Sequence, residues 1–440
     1  MKPPFNPAAL PDFNTFSFYR SLDSDLIFTD FKSLTQALRS GEHYTTFKEK
    51  YLNTYYRLKA AVLRYAFDQS ECTAYARTPW KNFVITAAVS DENPLTLCFE
   101  RGPVAKSHPF MASMRRDFEL FMAMYHFDWA AFIETCQLDD SDIFSAEVFT
   151  PLPPCNALEK AFDSGDVGAA FDAAGAYIAK NGLGIFELNQ SFKIADGRLT
   201  PVTCQSYKPM DSIVGYVKEK QELIANTASL INHHTGLNVL LQGDMGTGKS
   251  TMVKALLDYF KDTRLKMIEF KKDQLAYIPA IVENIKKRPY PFILFIDDLS
   301  FEEDDTDYKL FKNILEGSLE ENPDNVLIYA TSNKRHLITE TRSERENAVH
   351  TKDVLEEKLS LSSRFGLVLT FISPDQKVYL DIVASLAQDA GLDIPAEQLR
   401  SLAIQWEMRH LNRSGRTAEQ FIDYLKVGQY AKSGDSQSEH

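Results

Sequence analysis

Hydrophobic positions between residue 1 and about residue 175 recur every three or four residues, which is the period of an amphipathic helix. The clearest stretches are Phe47–Tyr65 and Met114–Phe132, and the run from Pro151 to Pro154 interrupts the pattern. We therefore predict a mainly helical N-terminal domain over residues 1–175. Its many aromatic side chains are expected to form the core of this domain, and a partner-binding surface is the alternative.

A lead-in segment, residues 176–210, separates this block from the rest of the chain. It contains two strand-like pieces, Gly184–Phe186 and Ser191–Ile194, followed by an Asp196-Gly197 turn.

From about Asp211 short apolar runs alternate with helical stretches, which indicates an α/β fold with a parallel sheet and helices on both faces. The predicted strands are Asn238–Gln242, Lys266–Phe270, Phe292–Asp297, Val326–Ala330 and Leu367–Phe371. The predicted helices are Glu219–Asn232, Lys249–Phe260, Leu275–Lys286, Asp307–Glu316 and Val354–Leu359. We expect this α/β domain to occupy residues 211–373.

After Pro374 the pattern is helical again, with predicted helices Gln376–Ala390, Ala396–Arg409 and Ala418–Leu425. These helices predict a C-terminal helical lid over residues 374–430. The Ser-rich tail, residues 431–440, is expected to be disordered.

Composition narrows the class of protein. A chain of 440 residues with 44% hydrophobic and 25% charged residues is typical of a globular protein of two or three domains. The net charge of −13 argues against a free-standing nucleic-acid wrapper, although a local basic patch stays open. Five scattered cysteines without a C-x-x-C pair, an N-terminus unlike a signal peptide and the lack of a long apolar run predict a cytoplasmic protein.

The strongest motif is the phosphate-binding loop at residues 243–250, which reads Gly-Asp-Met-Gly-Thr-Gly-Lys-Ser. A predicted strand precedes it and a predicted helix follows it, which is the context that this motif requires. Lys249 is expected to reach the β- and γ-phosphates, and Ser250 to bind Mg²⁺. The residues expected to surround the phosphates are Gly243, Asp244, Met245, Gly246, Thr247, Gly248, Lys249, Ser250 and Thr251.

A second element of the site follows the apolar strand that begins at Phe292. This strand delivers two acids, Asp297 and Asp298, to the sheet edge where α/β proteins bind ligands. Asp297 is expected to hold Mg²⁺ through water, and Asp298 is placed to act as the catalytic base. The alternative is that the pair only starts a solvated loop.

Over residues 205–428 the chain resembles the AAA+ ATPases. Ile213, Val214, Gly215 and Tyr216 look like the start of the adenine pocket, and Asn333 looks like the first sensor of the γ-phosphate. Ser363-Arg364-Phe365-Gly366 looks like the segment of the arginine finger, with Arg364 as the finger. Arg416 looks like the second sensor. The resemblance implies ATP and Mg²⁺ as cofactors, and a ring or arc of subunits in which Arg364 serves a neighbour.

Within AAA+, the chain is most similar to an uncharacterised bacterial family of predicted ATPases, through residues 291–302 and 359–366. One departure from many AAA+ proteins is Asp298, where they carry Glu; initiator-type members share the Asp. Glu302 is an alternative base. A surface salt bridge is the alternative for Arg364, and Arg413 is the alternative second sensor to Arg416.

Several neighbouring features bear on the task of the protein. His336 stands where the guanine-reading motif of GTPases has Asp, so ATP is expected rather than GTP. The stretch Lys271–Ile281 has no glycine for a peptide-threading pore loop, which weakens an unfoldase function. A charged insertion, Arg335–Glu357, precedes the arginine segment. The acidic run from Asp298 to Asp307 is interpreted as a solvated loop, with a docking site for a basic partner as the alternative.

Two functions of different class remain. In the first, an active ATPase remodels a protein or protein–nucleic-acid partner that residues 1–175 recognise. In the second, a switch or loader binds ATP, hydrolyses it slowly and acts through nucleotide-controlled assembly.

Overall fold

The structure is a computed structural model of the 440-residue chain. It describes residues 7–40, 44–68, 74–138, 140–151, 155–187, 189–202, 206–301, 306–316, 323–333, 363–410 and 413–435. The chain divides into two compact units, Met1–Leu188 and Asn189–His440. Each unit contains hydrophobic clusters of its own.

The first unit is helical, as predicted. Its helices are α1 (Leu26–Arg39), α2 (Tyr44–Asp68), α3 (Pro79–Ser90), α4 (Pro94–Arg101), α5 (Met111–Tyr125), α6 (Trp129–Thr135), α7 (Asn156–Asp163) and α8 (Val167–Asn181). Side-chain caps explain where several of them begin. Asp25 accepts from the backbone N–H of Phe28 at the start of α1, and Asn93 forms a capping box at the start of α4.

The aromatic side chains of this unit form its core, which confirms the simpler of the two expectations for them. Phe31, Trp80 and Trp129 are each at most 2% exposed. The Trp129 ring stacks on Phe144, with ring centroids 3.9 Å apart, and it meets Trp80 edge to face. Such contacts add to the stabilisation that comes from burying apolar area.

The stretch Met114–Phe132, which has helical spacing of its apolar residues, corresponds to two helices in the structure. The structure ends α5 at Tyr125 and begins α6 at Trp129. Asp128 accepts from the backbone N–H of Ala131, so this residue caps a new helix where the hydrophobic period alone predicts continuation.

The second unit is built on a seven-stranded sheet. Its strands are β1 (Ser191–Ala195), β2 (Arg198–Pro201), β3 (Val239–Gly243), β4 (Lys266–Phe270), β5 (Phe292–Ile296), β6 (Val326–Ser332) and β7 (Leu367–Phe371). They lie in the order β2-β1-β4-β5-β6-β3-β7, and each neighbouring pair is parallel except β1 and β2. The α/β fold class is thereby confirmed.

The lead-in segment contributes two strands to this sheet. Strands β1 and β2 form a hairpin whose turn residues, Asp196 and Gly197, both have positive φ, 51° and 72°. Positive φ at both turn residues matches the twist of the flanking strands. Strand β1 then pairs in parallel with β4. Gly184–Phe186, predicted to be strand-like, is a 3₁₀ turn instead.

The described part of the second unit also contains seven α-helices. They are α9 (Val217–His233), α10 (Lys249–Tyr259), α11 (Ile278–Ile285), α12 (Thr306–Glu316), α13 (Gln376–Asp389), α14 (Ala396–His410) and α15 (Gly415–Asp435). The last three pack through a cluster of their own around Tyr379, Val383 and Phe421. This cluster is the core of the predicted helical lid.

Two predicted helices have clearly different bounds in the structure, and a third cannot be compared. The stretch Leu275–Lys286 splits into a 3₁₀ segment, Lys272–Tyr277, and α11, because Pro279 favours a helix start at this point. Helix α15 extends to Asp435, ten residues past its predicted end, and so includes the start of the tail expected to be disordered. The predicted helix Val354–Leu359 lies outside the described residues.

The strand order places a binding crevice between β3 and β6. After β3 the chain crosses to β4 on one side, and after β6 it crosses to β7 on the other. Ligands of open α/β sheets bind where the connections leave in opposite directions, at the carboxyl ends of the strands.

Across the residues that the structure describes, no helix is both long and apolar enough to traverse a bilayer.

The buried carboxylate of Asp117 generates a stability prediction for the first unit. It accepts from the backbone N–H groups of Ser17 and Phe18, at 2.7 and 2.8 Å. Asp117→Ala is expected to lower the free energy of unfolding by about 2–4 kcal/mol, because two N–H groups lose their acceptor. Urea unfolding of the full chain, followed by tryptophan fluorescence, measures this loss. The exposed Asp172→Ala is the control, and an equal loss in both variants would contradict the assignment.

Candidate functional site

The phosphate loop connects β3 to α10 and depends on glycine at two close approaches. Gly243 has φ of 133°, and a Cβ there would lie 2.0 Å from the carbonyl oxygen of Phe371 on β7. Gly246 has φ of 79°, and a Cβ there would lie 2.8 Å from Oγ of Ser414 in the lid. Both positions therefore require a residue without a side chain.

The loop and the lid enclose a cavity of about 360 Å³ at the carboxyl edge of the sheet. The predicted loop residues that line it are Met245, Gly246, Thr247, Gly248, Lys249, Ser250 and Thr251. Asp297, Asp298 and Asn333 line the same cavity, so the structure brings the separate sequence motifs together.

Lys249 is only 4% exposed, and oxygen atoms surround its ammonium group. Nζ donates to the carbonyl oxygens of Gly243 and Asp244, at 2.9 and 2.7 Å, and to Oδ1 of Asn333 at 3.0 Å. Burial lowers the pKa of Lys249, while the nearby carboxylates of Asp244, Asp298 and Asp297 oppose that shift. These carboxylates favour the charged form that attracts a phosphate.

Two hydroxyl groups meet one carboxylate oxygen at the end of β5. Oδ1 of Asp297 accepts from Oγ of Ser250 at 2.5 Å and from Oγ1 of Thr331 at 2.6 Å. Ser250 lies in the first turn of α10 and Thr331 lies near the end of β6, so three elements converge on this acid.

The donor set at Ser250 and Asp297 fits Mg²⁺, which prefers oxygen ligands and is usually held by one or two protein groups together with phosphates and water. Within the described ranges, no group of three or more His, Cys, Asp or Glu side chains is arranged to hold a metal ion.

Asp298 and Asn333 form the next part of the site. Asp298 has φ of 54°, in the left-handed region that non-glycine residues rarely adopt. Its Oδ1 accepts from Nδ2 of Asn333 at 2.7 Å. Because Oδ1 of Asn333 also accepts from Lys249, one amide links the candidate base to the lysine of the loop.

Apolar side chains also line the cavity. They are Ile213, Val214 and Tyr216 from the segment before α9, and Ile382 and Leu386 from α13. Gly215, between Val214 and Tyr216, has φ of 84°. Apolar side chains of this kind could bind a flat nucleobase.

The connection from β7 to the lid is tied to both ends of the cavity. Oδ2 of Asp244 accepts from the backbone N–H and from Oγ of Ser373, both at 2.8 Å. The hydroxyl of Tyr216 donates to the carbonyl oxygen of Ile372 at 2.7 Å. Asp244 of the phosphate loop therefore also fixes the start of the lid.

The three arginines occupy different places. Arg416 lines the cavity from α15, whereas Arg413 forms an ion pair with Glu407 inside the lid. Arg364 precedes β7 and lies at the amino edge of the sheet, and it is not among the described residues that line the cavity. The five residues of β7 alone span about 16 Å. Arg364 is therefore remote from the phosphate loop of its own chain.

Some lining residues were missed by the sequence analysis. They are Lys208, Ser212, Thr331, Pro374, Ile382, Leu386, Gly415 and Glu419. Thr331 could have been found, since it is a polar residue near the carboxyl end of a strand next to β3 and β5. The lid residues depend on how α13 and α15 pack, which sequence spacing does not reveal. Glu302, His336 and the insertion Arg335–Glu357 lie outside the described residues.

A family described as "Protein of unknown function (DUF815)" matches residues 187–429, more than half of the chain. This match confirms the resemblance to an uncharacterised family. No curated protein matches the chain.

Two solved structures illustrate the structural matches. The RuvB Holliday junction branch migration motor of Thermotoga maritima is 16% identical, with a TM-score of 0.35. That match covers 50% of this chain and 66% of RuvB, just under two thirds. The HORMA:CdnC:Trip13 complex of E. coli MS115-1 contains a chain that is 13% identical, with a TM-score of 0.33, covering 49% of this chain and 89% of that one. Such TM-scores carry no argument, so the fold assignment depends on the sheet and loop described above.

The close approach of Gly243 to β7 predicts that Gly243→Ala abolishes ATP binding, because the added methyl group would displace the loop. Gly391→Ala is a matched control, since Gly391 also has positive φ, 64°, but no atom within 4 Å of the added Cβ. Calorimetric titration with Mg-ATP measures both variants. Wild-type affinity in Gly243→Ala would show that the loop tolerates the side chain, and the predicted constraint would be wrong.

Proposed function

The chain belongs to the DUF815 family, and from this premise we propose that it is an AAA+ ATPase that uses Mg-ATP hydrolysis to remodel a partner. The observation that carries the proposal is one hydrogen-bonded chain at the sheet edge. It runs from Lys249 through the Asn333 amide to Asp298, beside the Ser250–Asp297 pair. A phosphate-loop lysine, a polar sensor and two acids in one cavity are the parts that phosphoryl transfer to water requires.

The phosphate loop and the N-terminus of α10 would bind the triphosphate. The positive end of this helix and the Lys249 ammonium attract the phosphates. Ser250 and Asp297 would hold Mg²⁺, which when bound neutralises charge on the phosphate oxygens. The apolar wall of Ile213, Val214 and Tyr216 would hold the adenine against the lid.

The reaction itself needs a positioned water. Asp298 would accept a proton from this water as it attacks, and Asn333 would hold Asp298 in place while it senses the γ-phosphate. The Asp298 side chain is one methylene shorter than the Glu of many AAA+ proteins, so the water must approach closer to the strand. This geometry is compatible with catalysis and favours a low rate.

Arg416 and Arg364 would neutralise negative charge on the transferred phosphoryl group. Arg416 reaches the cavity from the lid, which supports its role as the second sensor. Because Arg364 lies at the far edge of the sheet, it could serve only the site of a neighbouring subunit. A guanidinium supplied in this way contributes about 10³–10⁵-fold to the rate of related reactions. The proposal therefore includes a ring or arc of subunits.

The partner is proposed to be a protein or a protein–nucleic-acid assembly that the first unit recognises. We also propose a cytoplasmic location and a preference for ATP over GTP. No membrane partner is part of the proposal.

One observation favours the second function, a slow switch or loader. The Asp298 carboxylate accepts from Asn333 at 2.7 Å, so the candidate base is engaged by the sensor. If this bond persists in the ATP-bound state, ATP would be held and hydrolysed slowly until a partner moves Asn333.

Replacement of the base separates binding from turnover. Asp298→Asn is expected to bind ATP like the wild type and to lose about 10²–10⁴-fold in turnover, the usual contribution of a general base. Lys249→Ala is expected to lose binding itself. Asp262→Asn, at an exposed position between α10 and β4, is the control. Unchanged turnover in Asp298→Asn would move the base elsewhere, and unchanged ATP affinity in Lys249→Ala would contradict the assignment of the site.

A mixture of two inactive variants tests the shared site. Arg364→Ala keeps its own phosphate loop, and Lys249→Ala keeps its arginine. In a mixed assembly, a Lys249→Ala subunit can therefore complete the site of an Arg364→Ala neighbour. When the two variants are mixed at equal amounts, about a quarter of the wild-type turnover is expected to return. On average one neighbouring pair in four places the intact phosphate loop of an Arg364→Ala subunit next to the intact arginine of a Lys249→Ala subunit. Arg400→Ala, exposed on α14, is the control for loss of an arginine. Mixed assemblies without any recovery would show that Arg364 does not act across subunits.

A further inference from the structure

We infer that the Thr331 hydroxyl is a positioning group that orients both acids of the site, Asp297 and Asp298. The inference rests on the proposed ATPase function and deepens it. It assigns a role to an uncharged residue two positions before Asn333.

Two hydrogen bonds carry the inference. Oγ1 of Thr331 donates to Oδ1 of Asp297 at 2.6 Å, and it accepts from the backbone N–H of Asp298 at 2.9 Å. Since the N–H can only donate, it occupies a lone pair of the hydroxyl oxygen and leaves the hydroxyl proton for the carboxylate. Thr331 is 2% exposed, so water has little access to replace either bond.

The bond to Asp298 stabilises an unusual backbone. Asp298 has φ of 54°, and its N–H and the next one, of Leu299, both donate to Thr331, the second to the carbonyl oxygen at 2.7 Å. Thr331 thus holds the turn that directs the Asp298 side chain toward Asn333. Loss of the hydroxyl would leave a buried N–H without this acceptor and would release the turn.

The hydrogen bond from Thr331 to Asp297 would orient the carboxylate that is proposed to hold Mg²⁺. The Asp297 oxygen that accepts from Thr331 also accepts from Ser250. Ser250 would turn toward Mg²⁺ when Mg-ATP binds, whereas Thr331 is fixed within β6 beside β3 and β5. Thr331 therefore keeps the Asp297 carboxylate oriented after Ser250 has changed partner.

A role of this kind predicts a specific kinetic pattern. The phosphate loop and the proposed adenine pocket stay intact without the hydroxyl, so the affinity for ATP without Mg²⁺ should change little. Misplacement of the acids by about 1 Å can reduce turnover by about 10²-fold. The Mg²⁺ concentration that gives half-maximal turnover should rise, because the orientation of Asp297 is less well fixed.

Thr331→Val tests this pattern, because it replaces the hydroxyl with a methyl group of similar size. Its kcat is expected to fall about 10²-fold, with an affinity for ATP without Mg²⁺ close to that of the wild type. Thr331→Ser keeps the hydroxyl and is expected to restore most of the turnover and of the Mg²⁺ response. Thr370→Val, the same substitution at an exposed position on β7 outside the cavity, is the matched control.

The outcomes separate this inference from the proposed function. Wild-type kcat in Thr331→Val, or turnover in Thr331→Ser as low as in Thr331→Val, would overturn the inference while the ATPase function stands. Loss of ATP binding in a folded Thr331→Val would replace the positioning role with a binding role.

If the wild type itself does not hydrolyse ATP, the proposed function fails, and calorimetry of ATP binding with and without Mg²⁺ decides the inference. A smaller gain of affinity from Mg²⁺ in Thr331→Val than in the wild type would support it. An equal gain in both would contradict it.

Discussion

Burial of the Lys249 ammonium at the carboxyl edge of the sheet requires oxygen acceptors, and two parts of the fold supply them. The carbonyl oxygens of Gly243 and Asp244 come from the end of β3 and the loop, and the amide oxygen of Asn333 comes from the end of β6. A buried charge without such partners would be strongly destabilising. The same acceptors place Lys249 close to the acids of the site. The need for acceptors around a buried ammonium therefore also brings together the residues of the proposed reaction.

The lid is connected to this centre by polar contacts rather than by the hydrophobic core alone. Asp244 accepts hydrogen bonds from Ser373, and the Tyr216 hydroxyl donates to Ile372. The phosphate loop and the segment proposed to hold the adenine therefore both contact the connection after β7. A ligand that shifts the loop or the Tyr216 side chain would act on this connection directly. Such an arrangement provides a physical route from nucleotide state to lid position, which either a remodelling ATPase or a switch requires.

Much of the second unit could be predicted from sequence because its strands are buried apolar runs. Strands Lys266–Phe270 and Leu367–Phe371 were predicted at their observed bounds. Seven of the nine predicted loop residues, all except Gly243 and Asp244, line one cavity together with Asp297, Asp298 and Asn333. Long-range pairing could not be predicted: β1 joins β4, some 75 residues away, and no local signal specifies that partner. The proposed role of Thr331 could not be predicted for the same reason, since its two hydrogen bonds reach acids that follow another strand, β5. The break between α5 and α6 depends on one capping residue that outweighs the hydrophobic period.

The central claim is that the chain hydrolyses ATP at sites completed between subunits. The most direct test is ATP turnover per chain across a series of protein concentrations, with the mass measured by light scattering with and without ATP. The account predicts turnover per chain that rises with concentration, together with assembly driven by ATP. Tight ATP binding with negligible turnover that does not depend on concentration would contradict it and would favour the switch.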